Sequence, residues 1–148
     1  MKVKDVMTAA VITVASGDSV EKCARLLQEH NISGLPVVDK DNKVIGMVTE
    51  GDLIRRASRI KAPGYLEILG GLIYLGSPKK FVDELKRAMA HEAGHLMSAK
   101  VITVQPGDDI EKAATLMLDK DIGRLPVVDS EGALVGIVSR RDIMSNLY

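Results

Sequence analysis

Leu35-Pro36-Val37-Val38-Asp39 and Leu125-Pro126-Val127-Val128-Asp129 are one string written twice, ninety residues apart. Outward from it, residues 7–53 align with 97–143 without a gap. Met7 falls on Met97, Val11-Ile12-Thr13-Val14 on Val101-Ile102-Thr103-Val104, and Gly17-Asp18 on Gly107-Asp108. Gly46-Met47-Val48-Thr49-Glu50-Gly51-Asp52 falls on Gly136-Ile137-Val138-Ser139-Arg140-Arg141-Asp142. Roughly two aligned residues in five are identical. A repeat of this length is one supersecondary unit used twice. Two such units pack about a pseudo-twofold axis and create two related clefts, so any site is expected as a pair.

Each copy reads β-α-β-β-α. The β-branched runs Val11–Val14 and Val101–Val104 predict a first strand. Asp18 with Glu21, and Asp108 with Glu111, have capping-box spacing and predict a helix start. Val20, Cys23, Ala24 and Leu27, then Ile110, Ala113, Ala114 and Met117, recur at helical spacing, and those helices end near Asn31 and Asp121. Leu35–Asp39 and Val44–Val48 flank the polar turn Lys40-Asp41-Asn42-Lys43, a hairpin signal. A last helix is expected after Thr49 and after Ser139. The fold class is therefore α+β: repeat 1 over residues 1–58, a helical insert over 59–93, and repeat 2 over 94–148. Ser77-Pro78 opens a helix in the insert, expected to run to about His91. Its stripe Phe81, Val82, Leu85, Ala88 and Met89 needs a surface to cover, in the same chain or in a second subunit.

The hydrophobic content of 46% supports an aliphatic core, since there is no Trp and one Phe. A formal net charge of zero argues against a nucleic-acid partner, which favours a basic domain. No apolar run reaches the ~18 residues of a membrane helix, and no secretory signal is read at the N-terminus. The expectation is a soluble, cytoplasmic protein. Cys23, the sole cysteine, excludes an intrachain disulfide and reads as a small core residue.

His91-Glu92-Ala93-Gly94-His95 matches HExxH, a zinc-protease pattern that needs both histidines on one helix face. The context opposes it. Gly94 interrupts the motif, and no third ligand is evident beyond His30. By repeat alignment this segment leads into Leu96-Met97, so neither catalysis nor a metal is expected.

The duplicated order of strand, helix, Leu-Pro-Val-Val-Asp, turn and Gly-x-Val-Thr/Ser-x-x-Asp closely resembles a tandem pair of CBS (cystathionine β-synthase) domains, a Bateman module. The match covers about two-thirds of the chain. The resemblance implies two β-α-β-β-α units meeting through their sheets, and a non-catalytic regulatory role in sensing adenosyl compounds. AMP, ADP, ATP, S-adenosylmethionine and NADH are the ligands it leaves open. It also implies a homodimer, with output through a regulated partner protein that the sequence does not identify.

The repeated Thr49-x-x-Asp52 and Ser139-x-x-Asp142 turns have suitable chemistry. A strand ends there and a helix begins, so free backbone N–H groups suit a phosphate. A hydroxyl can donate to phosphate or ribose, and a carboxylate three residues on can accept from both ribose hydroxyls. The same spacing also describes a plain capping box, and the two roles can coexist. By analogy with the family, each site mixes the repeats. Site A takes Ser139, Asp142 and Arg124, with a base pocket of Thr8, Val11, Ile12, Ile32 and Ser33. Site B takes Thr49 and Asp52, with Ser98, Val101, Ile102, Ile122 and Gly123. Arg124 stands where the first copy has Gly34. It is read either as a phosphate contact or as a surface arginine. With Arg140 and Arg141 replacing Glu50 and Gly51, it makes site A the expected better site for a phosphorylated ligand. Gly34 and Gly123 either admit a flat base or serve a turn. The alternative function is a dimerisation or protein-interaction module with vestigial sites.

Overall fold

The computed structural model describes residues 1–58, 65–68, 71–74 and 89–148, with 65–68 and 71–74 described as backbone. Its elements run α1 (Val3–Val6), α2 (Val20–Glu29), β1 (Gly34–Val38), β2 (Val44–Thr49), α3 (Glu50–Ala57), β3 (Tyr65–Ile68), β4 (Gly71–Tyr74), α4 (Ala93–Leu96), α5 (Ile110–Asp119), β5 (Arg124–Val128), β6 (Leu134–Ser139) and α6 (Arg140–Leu147). β1–β2, β3–β4 and β5–β6 are antiparallel hairpins.

The Asp that ends each Leu-Pro-Val-Val-Asp string closes its hairpin. Asp39 Oδ1 accepts the N–H groups of Asp41 and Lys43, both at 2.9 Å. Asp129 Oδ1 accepts those of Glu131 and Ala133 at 2.9 and 3.0 Å. Asn42 and Gly132, at matching positions, take the positive φ that these turns require. Asn31 and Asp121 also adopt positive φ just past α2 and α5, which stops each helix where the sequence reading placed its end.

Three expectations need correction. The runs Val11–Val14 and Val101–Val104 do not form regular strands. Each makes a single parallel bridge, Val14 to Val37 and Val104 to Val127. Pro36 and Pro126 stand beside them; their carbonyls accept from Val14 and Val104, but proline has no N–H to extend a ladder. The helix caps lie one residue later than read. Ser19 accepts from the Lys22 N–H at 3.0 Å, whereas Asp18 accepts from Ala15 at 2.8 Å. That bond holds the Asp18 carboxyl below its ordinary range. Asp109 flanks α5, but its carboxylate pairs with Lys2 at 2.6 Å instead of capping. Lastly, the insert is not purely helical, since it carries the β3–β4 hairpin. The helix expected from Ser77 lies mostly outside the described residues, and residues 89–91 are turn and coil.

The repeats are interlocked through their lead-in segments. Val3 and Val6 of α1 belong to the core built from repeat 2, with Val104, Ile110, Leu125 and Val138. Ala93 and Leu96 of α4 belong to the core of repeat 1, with Val14, Cys23, Leu35 and Val48. The crossings are reciprocal. Thr8 exchanges backbone hydrogen bonds with Ile137 at 2.8 and 2.9 Å, and Ser98 does so with Met47 at 2.9 and 3.0 Å. Each crossing brings a methionine over a glycine. A Cβ on Gly136 would meet Met7 Cγ at 3.0 Å, and one on Gly46 would meet Met97 Cγ at 2.8 Å and Cβ at 3.0 Å. Cys23 is fully buried in the repeat 1 core, and burial pushes its thiol up, so it packs as an inert apolar group.

Gly46→Ala should therefore overpack the crossing and destabilise the protein by about 1–3 kcal/mol. Urea unfolding should show a lower midpoint with an unchanged slope. An unshifted midpoint would mean that Met97 moves aside freely.

Candidate functional site

Two clefts open between the repeats, with volumes of about 560 and 630 Å3. Both lie within the range of about 300–1,000 Å3 usual for small-molecule sites. All eight residues expected at site A line the first: Thr8, Val11, Ile12, Ile32, Ser33, Arg124, Ser139 and Asp142. All seven expected at site B line the second: Thr49, Asp52, Ser98, Val101, Ile102, Ile122 and Gly123. Of these, Ser33, Gly123 and Arg124 line both, together with Glu50.

The crossed lead-ins explain this mixing. The Thr8–Ile137 bridge carries the Thr8–Ile12 segment across to the C-terminal end of β6, where Ser139 begins α6. The Met47–Ser98 bridge brings Ser98–Ile102 to Thr49 in the same way.

The two Ser/Thr-x-x-Asp turns are both capping boxes. Asp142 Oδ2 accepts the Ser139 N–H at 2.8 Å, and Ser139 Oγ accepts the Asp142 N–H at 3.2 Å. Asp52 Oδ2 accepts the Thr49 N–H at 2.9 Å and the Thr49 hydroxyl at 3.1 Å. The turns are not equivalent. Asp52 is buried at 5% exposure and its Oδ1 accepts from Arg55 at 2.8 Å. Ser145 occupies the matching place after Asp142, and among the described residues no side chain donates to Asp142 Oδ1. The Ser139 turn is thus the more available of the two to a sugar hydroxyl.

Charge favours the same cleft for an anion. Arg124, Arg140 and Arg141 face Glu50 and Asp142 in the first cleft. Arg55, Lys100 and Arg124 face Glu50, Asp52 and Asp121 in the second. Arg140 leans over the loop before β5, donating from Nε to the Ile122 carbonyl at 3.3 Å. Arg124 is partly buried and donates to Ser33 Oγ. Burial lowers its proton affinity, while Glu50 and Asp142 raise it. Its position excludes the plain surface-arginine reading. Gly34 serves this contact, since a Cβ there would meet Arg124 Cδ at 2.9 Å. Gly123 has open space around it, with Arg140 Nε nearest at 4.0 Å.

Sequence reasoning missed Glu50, Arg55, Lys100, Met47 and Ile137 as lining residues. Arg55 was legible as an i,i+3 partner of Asp52. Met47 and Ile137 enter only through the cross-repeat bridges, which leave no local signal. The HExxH segment proves to be a backbone brace. His91 lies before α4, so the two histidines do not share a helix. The His91 carbonyl accepts from Val20, and the Ala93 and Gly94 N–H groups donate to Asp18 and Ser16. A Cβ on Gly94 would meet Ser16 Cβ at 3.0 Å and its carbonyl oxygen at 3.1 Å. Among the described residues no cluster of metal-ligating side chains is present.

Removing the carboxylates should reveal the asymmetry in stability. Asp52→Ala and Asp142→Ala should each cost about 0.5–2 kcal/mol as lost caps. The loss at Asp52 should be the larger, because that group is buried and also binds Arg55. Equal midpoints in chemical denaturation would contradict this difference.

Known proteins place the chain. The CBS domain family model matches residues 3–59 and 93–148. Protein MJ1426 of Methanocaldococcus jannaschii is 34% identical over 154 residues, covering 99% of this chain and 91% of that protein. Some relatives are much longer: the chain spans 23% of the homoserine O-acetyltransferase of Methanohalobium evestigatum, at 31% identity. Among solved structures, CBSX2 in complex with AMP superposes with a TM-score of 0.76 at 26% identity, covering 98% of this chain and 94% of that one. The CBS domain pair of protein MJ0100, in complex with 5′-methylthioadenosine and S-adenosyl-L-methionine, superposes with a TM-score of 0.75 at 26% identity, covering 99% and 94%. With the duplicated motif, the interlocked repeats and these matches together, the chain belongs to the CBS domain family and folds as a CBS domain pair.

Proposed function

We propose that this protein is a non-catalytic regulatory module that binds adenosyl nucleotides in the clefts between its two repeats. The observation that carries the reading is a duplicated turn: a hydroxyl, a helix N-terminus and a carboxylate meet at Ser139–Asp142 and at Thr49–Asp52, each facing residues of the other repeat. Solved relatives that hold AMP, or 5′-methylthioadenosine and S-adenosyl-L-methionine, support the ligand class. Asp142 accepts from the ribose hydroxyls, Ser139 and the N–H groups of α6 face the phosphate, and Arg124 forks it. Val11, Ile12 and Ile32 provide the apolar walls for the base. Thr49 and Asp52 play the matching parts in the second cleft, against Val101, Ile102 and Ile122. The Ser139 cleft is the stronger site for a phosphorylated ligand. Binding acts on a partner only if the ligand favours one arrangement of the repeats over another.

A thermal-shift panel with AMP, ADP, ATP, S-adenosylmethionine and NADH tests this on wild type, Asp52→Ala and Asp142→Ala. A native-state ligand at ~100-fold over its Kd adds roughly 2.7 kcal/mol of stability. At least one compound should raise the melting temperature, and Asp142→Ala should remove most of that rise. No shift with any of the five would refute the reading, and a larger loss in Asp52→Ala would reverse the ranking of the clefts.

One observation favours an interaction role beside this one. Ile54 on α3 and Met144 on α6, at matching repeat positions, are 70% and 64% exposed. Apolar residues displayed at corresponding places on both halves suit a self-complementary dimer interface. Ile54→Glu with Met144→Glu should convert a dimer into a monomer in sedimentation. An unchanged mass would place the interface elsewhere.

A further inference from the structure

Ser33, Glu50, Gly123 and Arg124 line both clefts, so the two sites share a wall. Arg124 is the cation of that wall. Its side chain crosses from the start of β5 over Gly34, which occupies the matching position in repeat 1. A Cβ at residue 34 would meet Arg124 Cδ at 2.9 Å and Nε at 3.3 Å, so the glycine keeps the path open. The guanidinium ends at the Ser33 hydroxyl. Among the described residues every other basic side chain lining a cleft faces one cleft only: Arg140 and Arg141 the first, Arg55 and Lys100 the second.

We propose that Arg124 is one anion-binding group serving both clefts, so that a phosphorylated ligand in either cleft weakens the binding of a phosphorylated ligand in the other. This rests on the adenosyl-ligand reading and deepens it. A guanidinium forks one phosphate bidentately and cannot present the same N–H pair to two. Two anions that approach a single partly buried cation repel each other with less screening than in open solvent. Glu50, on the same wall, adds a fixed negative charge. An adenosyl compound without an anionic group, such as 5′-methylthioadenosine, does not draw on Arg124, so the pair of clefts favours one phosphorylated and one uncharged occupant. The coupling is reciprocal by linkage, whichever cleft fills first.

Calorimetric titration of the full chain with AMP and, separately, with 5′-methylthioadenosine provides the test. Asp52→Ala and Asp142→Ala each isolate one cleft and report its affinity alone. For independent clefts, the product of the two stepwise association constants of the wild type equals the product of the two isolated affinities. With AMP the wild-type product should fall about tenfold below it, within the usual range of couplings. With 5′-methylthioadenosine the products should agree. In Arg124→Gln both AMP affinities should drop and the AMP discrepancy should vanish. Agreement of the AMP products in wild type would overturn the coupling while leaving the adenosyl reading intact. So would a loss confined to one cleft in Arg124→Gln, or a discrepancy that persists there. Failure of both compounds to bind at all would overturn the adenosyl reading and this proposal with it.

Discussion

The structure depends on the reciprocal crossing of its two lead-in segments. α1 packs into the core of repeat 2 and α4 into the core of repeat 1, and each crossing is sealed by a pair of backbone hydrogen bonds. Gly46 and Gly136 keep it open, because a Cβ at either would press on the side chain of Met97 or Met7. An element that completes its neighbour's core leaves neither repeat with a full core of its own. The same crossing carries Thr8 and Ser98 to the ends of the opposite hairpins, so one constraint both joins the halves and assembles the clefts.

Within that near-symmetric frame, the functional character lies in the positions where the repeats differ. Arg124 replaces Gly34, and the two then contact each other near the centre, the arginine filling the space that the glycine leaves. Arg55 engages the carboxylate of Asp52, while Ser145 leaves Asp142 less committed. Ser19 caps α2, whereas its counterpart Asp109 turns to Lys2 and ties the chain's beginning to repeat 2. A duplicated unit starts with equivalent sites. Single substitutions near the centre are enough to divide their work, because electrostatic effects there are less screened.

The HExxH segment shows how context overrides a motif. Its spacing satisfies the zinc pattern, but α4 begins only at Ala93, after the first histidine. The segment instead supplies a carbonyl to the otherwise unpaired start of α2 and two N–H groups to the loop before it. Met1–Lys4 do the same for α5: Met1 and Val3 bond to Ile110 and Asp108, and Lys4 to Pro106. This correspondence follows from the ninety-residue repeat and was visible in the alignment.

By itself the sequence determined the repeat, its α-β-β-α order, the hairpins and the helix ends. Those features are set by local rules: hydrophobic period, turn chemistry and caps all act within a few residues, and the repetition checks each reading twice. The clefts were legible because the resemblance placed residues that local rules could not. Only the tertiary structure decided which lead-in completes which core and that Arg124 reaches both clefts. It also reduced the first strand to a single bridge, since Pro36 and Pro126 deny it a ladder. Each of these outcomes turns on contacts between segments about ninety residues apart, or on two side chains competing for one space. No local periodicity records such contacts.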